Sequence, residues 1–224
     1  MKIVVAGAGS VGRSIAHELL VSGHAVTIID RQPSAMRVAQ VPEAEWILAD
    51  ACELRTLDEA NVSDCDVVVA ATGDDKANLV IALLAKTEYG VPRVVARVNH
   101  PKNEWMFDDS WGVDVAVSTP RIMTAMVEEA VAIGDLVNIF TFHQSGADIH
   151  EFTIPAGSHL IGASIGKIVW PEDTVLAAIV RGAQPLTPEP DDTLESGDEL
   201  LFVTSANVRL TDLQEILVGE QSAK

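Results

Sequence analysis

The chain has 224 residues, 48% of them hydrophobic and 21% charged. That is enough apolar material for one or two packed domains and too little charge for a disordered chain. Its 15 Lys and Arg stand against 33 Asp and Glu, a formal net charge of -18, which repels phosphate backbones and anionic headgroups and so argues against non-specific nucleic-acid binding and direct lipid binding. The cysteines, Cys52 and Cys65, stand alone without metal-type spacing or any sign of an oxidising compartment. No apolar run nears the roughly 18 residues of a membrane span, and Met1-Lys2 leads straight into a strand rather than a signal peptide. The expectation is a soluble, cytoplasmic protein that would reach a membrane only by docking on another protein.

Residues 1–119 alternate short apolar runs with helical patterns. The runs cover 3–6, 25–29, 46–48, 67–71, 94–98 and 113–117 and are mostly rich in Val and Ile. Continuous rather than alternating apolar character marks strands covered on both faces. The intervening segments 11–22, 34–40, 54–60, 76–89 and 102–111 read as helices. Strands alternating with helices give βαβ units, hence an α/β fold with a Rossmann-like, doubly wound parallel sheet.

Residues 120–134 read as a longer helix with a wide apolar stripe through Ile122, Met123, Met126, Val127, Ala130, Val131 and Ile133. It serves either packing on its own domain or a crossover helix that meets another subunit, and 120–135 is the expected linker. Residues 136–220 then read as a small α+β C-terminal domain. Its expected strands are 136–142, 149–154, 175–181 and 199–204, with a turn and short helix over 157–168 and a final helix over 208–217. Pro185, Pro188 and Pro190 mark a loop between strands, and 221–224 form a short polar tail.

The chemistry sits at the first turn. Gly7-Ala8-Gly9-Ser10-Val11-Gly12 follows a predicted strand and opens a predicted helix, the context that gives a G-x-G-x-x-G pattern its meaning. Gly7 permits the tight turn, Gly9 lets a pyrophosphate approach the backbone, and Gly12 lets helix and strand pack closely. Free N–H groups and the dipole of the helix N-terminus, at Ser10 and Val11, face the phosphates. Asp30 ends the second strand, where a carboxylate accepts ribose hydroxyls and disfavours a 2′-phosphate; Arg31 beside it weakens that preference. The other reading of Asp30 is a helix N-cap.

Ligands of open parallel sheets bind beyond the carboxyl ends of the strands. Asp50 and Ala51 follow the third strand there, Thr72 and Gly73 the fourth, and Arg97 ends the fifth. Asp50 could equally cap the next helix, Arg97 pair with an acid, and Arg13 be a solvated surface residue rather than a phosphate contact.

No catalytic constellation accompanies this site. Tyr89 has Arg93, not a lysine, four residues on, and the histidines His17, His24, His100, His143, His150 and His159 are scattered, with only Glu151 adjoining His150. His100, just past the fifth strand, is the one position where a base could serve a small NAD-dependent oxidoreductase, the alternative to a binding module. A repressor is remote, since no basic helix-turn-helix is present.

These residues resemble the RCK (or KTN) domain of Trk/Ktr potassium-uptake regulators. The resemblance runs through residues 1–12, Ile28-Ile29-Asp30, Ala49-Asp50-Ala51, residues 70–79 with the apolar helix to Lys86, Val95-Ala96-Arg97-Val98-Asn99 and Val117-Ser118-Thr119-Pro120. It continues into the family's second domain at Leu186-Thr187-Pro188, Asp192 and residues 194–200. The resemblance implies a regulatory subunit, not an enzyme, in a homo-oligomer (a dimer or tetrameric ring) attached to the inner face of the cell membrane through a potassium channel or transporter. It implies NAD or NADH as ligand, with ATP or ADP as alternatives, phosphate contacts at Gly7, Gly9 and Gly12, ribose at Asp30, the adenosine side at Asp50, and Thr72, Gly73 and Arg97 lining the cleft. Some members carry Glu or Arg where Ser10 stands, which leaves the choice of nucleotide open. In some relatives the second domain binds another small ligand, such as a cyclic dinucleotide.

Overall fold

A computed structural model describes residues 1–131, 133–142 and 145–219, so the expected tail 221–224 and His143 lie outside the described residues. The chain divides into two compact units, Met1–Arg121 and Ile122–Lys224.

The first unit is built on β1 (Lys2–Ala6), α1 (Ser10–Val21), β2 (Ala25–Asp30), β3 (Glu45–Leu48), α2 (Leu54–Glu59), β4 (Val67–Ala70), α3 (Asp75–Thr87), β5 (Arg93–Val98) and β6 (Val115–Ser118). The strands form one parallel sheet in the order β3-β2-β1-β4-β5-β6. Alternation along β1 sends Ile3 and Val5 into one core with Ala16 and Ile28, and Val4 and Ala6 into another with Leu57, Leu79 and Ile81. This two-sided burial is why the strands read as continuous Val/Ile runs. The strand order reverses between β1 and β4, and there a crevice opens at the carboxyl edge.

Two expected helices take a tighter form. Residues 34–40 fold as separate 3-10 turns, Pro33–Ala35 and Val38–Gln40, because Met36 (ψ 68°) and Arg37 (ψ 61°) leave helical geometry and so short a run cannot sustain an α-helix. Residues 102–111 become a 3-10 helix Pro101–Met106 and a turn Asp109–Trp111. The break falls where Asp108 accepts the Ser110 N–H at 3.0 Å and caps the second turn. Strand β6 starts two residues late because Asp114 turns its carboxylate onto the Val94 N–H (2.6 Å) and Lys86 (2.8 Å).

Helix α4 (Thr119–Val131) carries the expected stripe, with Ile122, Met123, Met126, Val127 and Val131 all exposed, as is Ile133 beyond it.

The second unit folds β7 (Val137–Thr141), β8 (Asp148–Thr153), β9 (Thr174–Arg181), β10 (Gln184–Leu186) and β11 (Glu199–Thr204) into an antiparallel sheet of order β10-β9-β11-β8-β7. Helix α5 (Leu210–Val218) buries Leu213 and Leu217 against Phe152, Ile179, Leu200 and Phe202. Residues 157–168 form turns and then the short 3-10 helix Ile165–Lys167, with Gly162 turning the chain left-handed (φ 79°) ahead of it. One expectation fails here. Pro185 lies not in a loop but opposite Val180 in β10, at the sheet edge, where its missing N–H costs no ladder bond.

Candidate nucleotide-binding cleft

The glycine turn is fixed by sterics. Gly7 has φ 111°, and a β-carbon there would stand 2.8 Å from the Ala71 and Thr72 backbone. A β-carbon on Gly12 would come within 1.8 Å of the Gly7 carbonyl oxygen, so α1 can lie this close to β1 only with glycine there. Around Gly9, by contrast, a β-carbon would meet nothing within 4 Å: the backbone is bare toward the cleft. Gly9 is the N-cap and supplies no side chain, and the first intrahelical bond runs from the Arg13 N–H to the Gly9 carbonyl at 3.0 Å. The N–H groups of Ser10, Val11 and Gly12 therefore have no intrahelical acceptor and offer themselves to an anion.

Asp30 faces this turn. Its Oδ2 accepts the Ala8 N–H at 2.7 Å and its Oδ1 the Gln32 N–H at 2.8 Å, so the carboxylate is locked against the glycine turn with acceptor capacity left on both oxygens. It caps no helix. Asp50 accepts the Cys52 N–H at 2.9 Å and meets Arg31 at 3.4 Å. The Cys52 bond above all, with Arg31 assisting, holds its carboxyl below the usual range. Burial, then the Asp50 charge, pushes the Cys52 thiol up to about 11, so it is protonated and a poor nucleophile at neutral pH.

Across the switch point, Asn78 organises the β4 edge. It is fully buried; its Oδ1 accepts the Thr72 N–H (2.9 Å) and hydroxyl (2.6 Å), and its Nδ2 donates to the carbonyls of Thr72 (3.2 Å) and Arg97 (2.8 Å). Next to it, Asp75 accepts from the Asn99 and His100 N–H groups and from the Asn99 and Asn103 amides, all within 3.0 Å. Burial alone would raise its carboxyl, but the donors outweigh it and hold it low.

These edges enclose a cleft of about 580 Å³, the size of ordinary small-molecule sites. Gly7, Gly9, Ser10, Val11, Asp30, Arg31, Asp50, Ala51, Thr72, Gly73 and Arg97 all line it, as does Arg13. Gly12 does not; it lies beneath, as the spacer between helix and strand. Nor does His100, which is exposed and joins the network through its backbone N–H, so the candidate base of the oxidoreductase alternative does not line the cleft. Sequence reading passed over Gln32, Ser34, Arg37, Cys52, Asp74 and Ala77. Ser34 and Arg37 stand in a stretch that reads as a helix; their place just after β2 at the ligand edge is the signal in the sequence. Of the nine arginines in the chain four, Arg13, Arg31, Arg37 and Arg97, line this one cleft, so a site for an anion is built into an acidic protein.

The TrkA-N domain family model matches residues 3–119 and the TrkA-C domain model residues 149–216. A Trk system potassium uptake protein TrkA of Mycobacterium tuberculosis is 53% identical over 215 residues, covering 95% of this chain and 98% of its own. The chain belongs to the TrkA family. Another TrkA, a homolog from Methanothermobacter thermautotrophicus, is 31% identical over 89% of this chain and 92% of its own length, whereas TrkA of Halomonas elongata matches at 29% with this chain spanning 48% of it. Among solved structures, the GsuK channel bound to NAD superposes with a TM-score of 0.68 at 18% identity, over 98% of this chain and 39% of that one. That likeness shows a shared fold. Among the described residues no helix is long and apolar enough to cross a membrane, and no three His, Cys, Asp or Glu side chains gather as a metal site.

Proposed function

We propose that the chain is a nucleotide-binding regulatory subunit of a Trk potassium uptake system, acting by binding without turnover. The observation that carries this reading is the pairing of a bare helix N-terminus at Gly9 with the Asp30 carboxylate locked on the Ala8 N–H. One binds a diphosphate, the other an unphosphorylated ribose. NAD or NADH fits both requirements; ATP and ADP share the same adenosine and diphosphate. Gly7, Gly9, Ser10 and Val11 would take the phosphates, Asp30 the ribose, and Arg31, Asp50 and Ala51 the adenosine side. Thr72, Gly73 and Arg97 would take what extends beyond. The names of the TrkA relatives and the NAD in the GsuK structure support this assignment.

Gating needs a ligand that prefers one of two states of the protein. In this reading residues 1–119 hold the nucleotide, 120–135 form the crossover, and 136–220 complete a cytoplasmic homo-oligomer that docks on the membrane transporter. The exposed stripe on α4 supplies an apolar face for a second copy. Calorimetric titration with NAD, NADH, ATP and ADP tests the site. Micromolar binding, weakened at least tenfold in Asp30→Ala, is expected; absence of binding by all four would refute it.

A further inference from the structure

A cluster of polar groups lies far from any ligand edge, inside the second unit. His150 stands two residues before Phe152 on β8 and opposite Phe202 on β11, so its ring lies on the sheet face that carries the core. It is 1% exposed, and its Nε2 has no hydrogen-bond partner. Thr204, two residues beyond Phe202 on the same face, pairs with Asp148 of β8 on one side and with Thr174 of β9 on the other. The hydroxyl oxygens of Thr204 and Thr174 are likewise buried without a partner. One end of an otherwise apolar core therefore holds three polar atoms, on the neighbouring strands β8, β11 and β9, that no other described residue satisfies.

A neutral imidazole is tolerated in such a place at modest cost; a charged and unpaired one is not. Around His150, β7 presents Asn138, β11 presents Phe202 and Thr204, and α5 presents Leu213 and Leu217 to the same core. Asp148, on its own strand, is the one charged group among the described residues whose field reaches the ring. Its Oδ1 is already engaged, by the Asn138 amide at 3.1 Å and by the Thr141 hydroxyl. Burial outweighs Asp148 and holds the ring below the usual histidine value. Glu151, the next residue, points to the opposite face of the sheet. A proton on His150 therefore requires that the ring meet water, and the way out is β7. It is an edge strand with β8 as its one ladder partner. Asn138, directly opposite His150, is exposed, and the ladder is already irregular between Asn138 and Phe140.

We propose that His150 is a proton-operated latch on β7, keeping β7 on β8 while the ring is neutral and releasing it when the ring takes a proton. Release opens the seam held by Asn138, Thr141 and Asp148. It leaves β8, β9, β11 and α5 packed through Phe152, Ile179, Leu200, Phe202 and Leu213. Because β7 is the first strand after α4, the acid-sensitive element is the one through which the chain enters the antiparallel sheet. The closed state holds the His150 proton less tightly than the released state. Closure is therefore fully stable above the released value near ~6.5, weakens as pH falls below it, and stops weakening below the folded value.

The test is hydrogen exchange of the full chain from about pH 8 to about pH 5, corrected for intrinsic rates, comparing residues 137–141 with residues 199–204. Protection of 137–141 is expected to hold down to about pH 6.5 and then to fall by up to about tenfold per pH unit, since one proton is linked to the opening. Protection of 199–204 should not follow. His150→Leu removes the titrating ring and should abolish the fall in 137–141; Glu151 is present in both proteins and cancels in the comparison. Protection of 137–141 that is indifferent to pH in the parent protein would overturn the latch, whether or not the Leu variant folds. So would a parallel fall in 137–141 and 199–204, which would mean that the sheet opens as a whole, or a fall that survives in His150→Leu. NMR titration of the parent gives an independent reading: the His150 ring should protonate below ~6.5, together with loss of the β7 amide signals. An ordinary titration with β7 still protected would assign the ring a purely structural place and end the proposal.

Discussion

The two units bury acids in opposite ways. In the first, Asp75 is ringed by four donors and its carboxyl is held low. In the second, Glu151 is 4% exposed, yet it accepts only the Thr153 hydroxyl at 2.7 Å, its Oε2 has no partner, and burial pushes its carboxyl up. His150 beside it is likewise buried with Nε2 unpartnered, and burial pushes it down. The contrast follows from architecture. A parallel sheet ends in loops whose free N–H groups converge on a carboxylate at its carboxyl edge. In the middle of an antiparallel strand the backbone donors are already spent on the ladder, so a buried acid there must find side chains.

Asp198 shows the second unit using that other route, and breaking it gives the largest expected effect. The carboxylate is fully buried and receives Arg181 through Nε at 2.7 Å and Nη2 at 2.8 Å, with the Glu195 N–H at 2.8 Å. Arg181→Met would strand the charge, at a cost of about 3–5 kcal/mol. Native-state hydrogen exchange should show protection collapsing in β11 and persisting in β4; an equal fall in both would mean that the units unfold together. Burial pushes the Asp198 carboxyl up, Arg181 and the Glu195 N–H together more than offset this, and the net shift is downward. The associated stability is therefore present above the unfolded carboxylate value near pH ~3.9 and is lost as pH falls through the folded value.

In the first unit the equivalent weak point is steric. Gly12→Ala places a methyl 1.8 Å from the Gly7 carbonyl, and forcing α1 off β1 should cost about 3 kcal/mol, visible as a fall in urea midpoint. Gly9→Ala, three residues away, meets nothing within 4 Å. Its stability should stay within about 0.5 kcal/mol, while nucleotide affinity falls at least tenfold because the methyl occupies the phosphate approach. Equal behaviour of the two variants would dissolve the distinction between spacer and contact.

Much of the first unit was legible because its signals are local: Val/Ile runs for strands covered on both faces, glycines where the backbone turns, an acid at a strand end. Arg37 and Ser34 escaped because a polar helix and a pair of 3-10 turns look alike over seven residues. Asn78 escaped because its role depends on Thr72 and Arg97, residues that only the sheet brings beside it. The second unit was harder. Its edge strand contains Pro185, which reads as a loop residue, and Asp198 reads as a turn residue ahead of a strand, since its pairing with Arg181 joins the end of β9 to the residue before β11. Glu151 gave no signal, because an acid in an alternating strand reads as solvent-facing.

Glu151 yields a prediction of opposite sign to Asp198. With the folded carboxyl raised, the native state holds its proton more tightly than the unfolded chain. Stability then falls as pH rises from the unfolded glutamate value near ~4.3 through the folded value. Glu151→Gln removes that loss and should stabilise the second unit at neutral pH by about 1–3 kcal/mol, the desolvation range of a buried polar group, with the gain vanishing toward pH ~4. Thermal melts of both proteins across pH 4–8 decide it; a destabilised Gln variant at pH 7 would show that the charge is used.

The smallest effect is expected at the ion pair of Arg31 and Asp50, at the mouth of the cleft. The chemistry is that of Arg181 and Asp198, but Arg31 is 59% and Asp50 34% exposed in their side chains and 3.4 Å apart. Water does most of the solvation, so Arg31→Ala should change stability by no more than about 1 kcal/mol. The Asp50 carboxyl is held low first by the Cys52 N–H and only secondarily by Arg31. In Arg31→Ala, followed by NMR titration, it should therefore move up slightly and still titrate below an ordinary aspartate. A full return to the ordinary range would assign the shift to Arg31 and make this surface pair behave like the buried one. The contrast between the units would then rest on geometry alone and not on exposure.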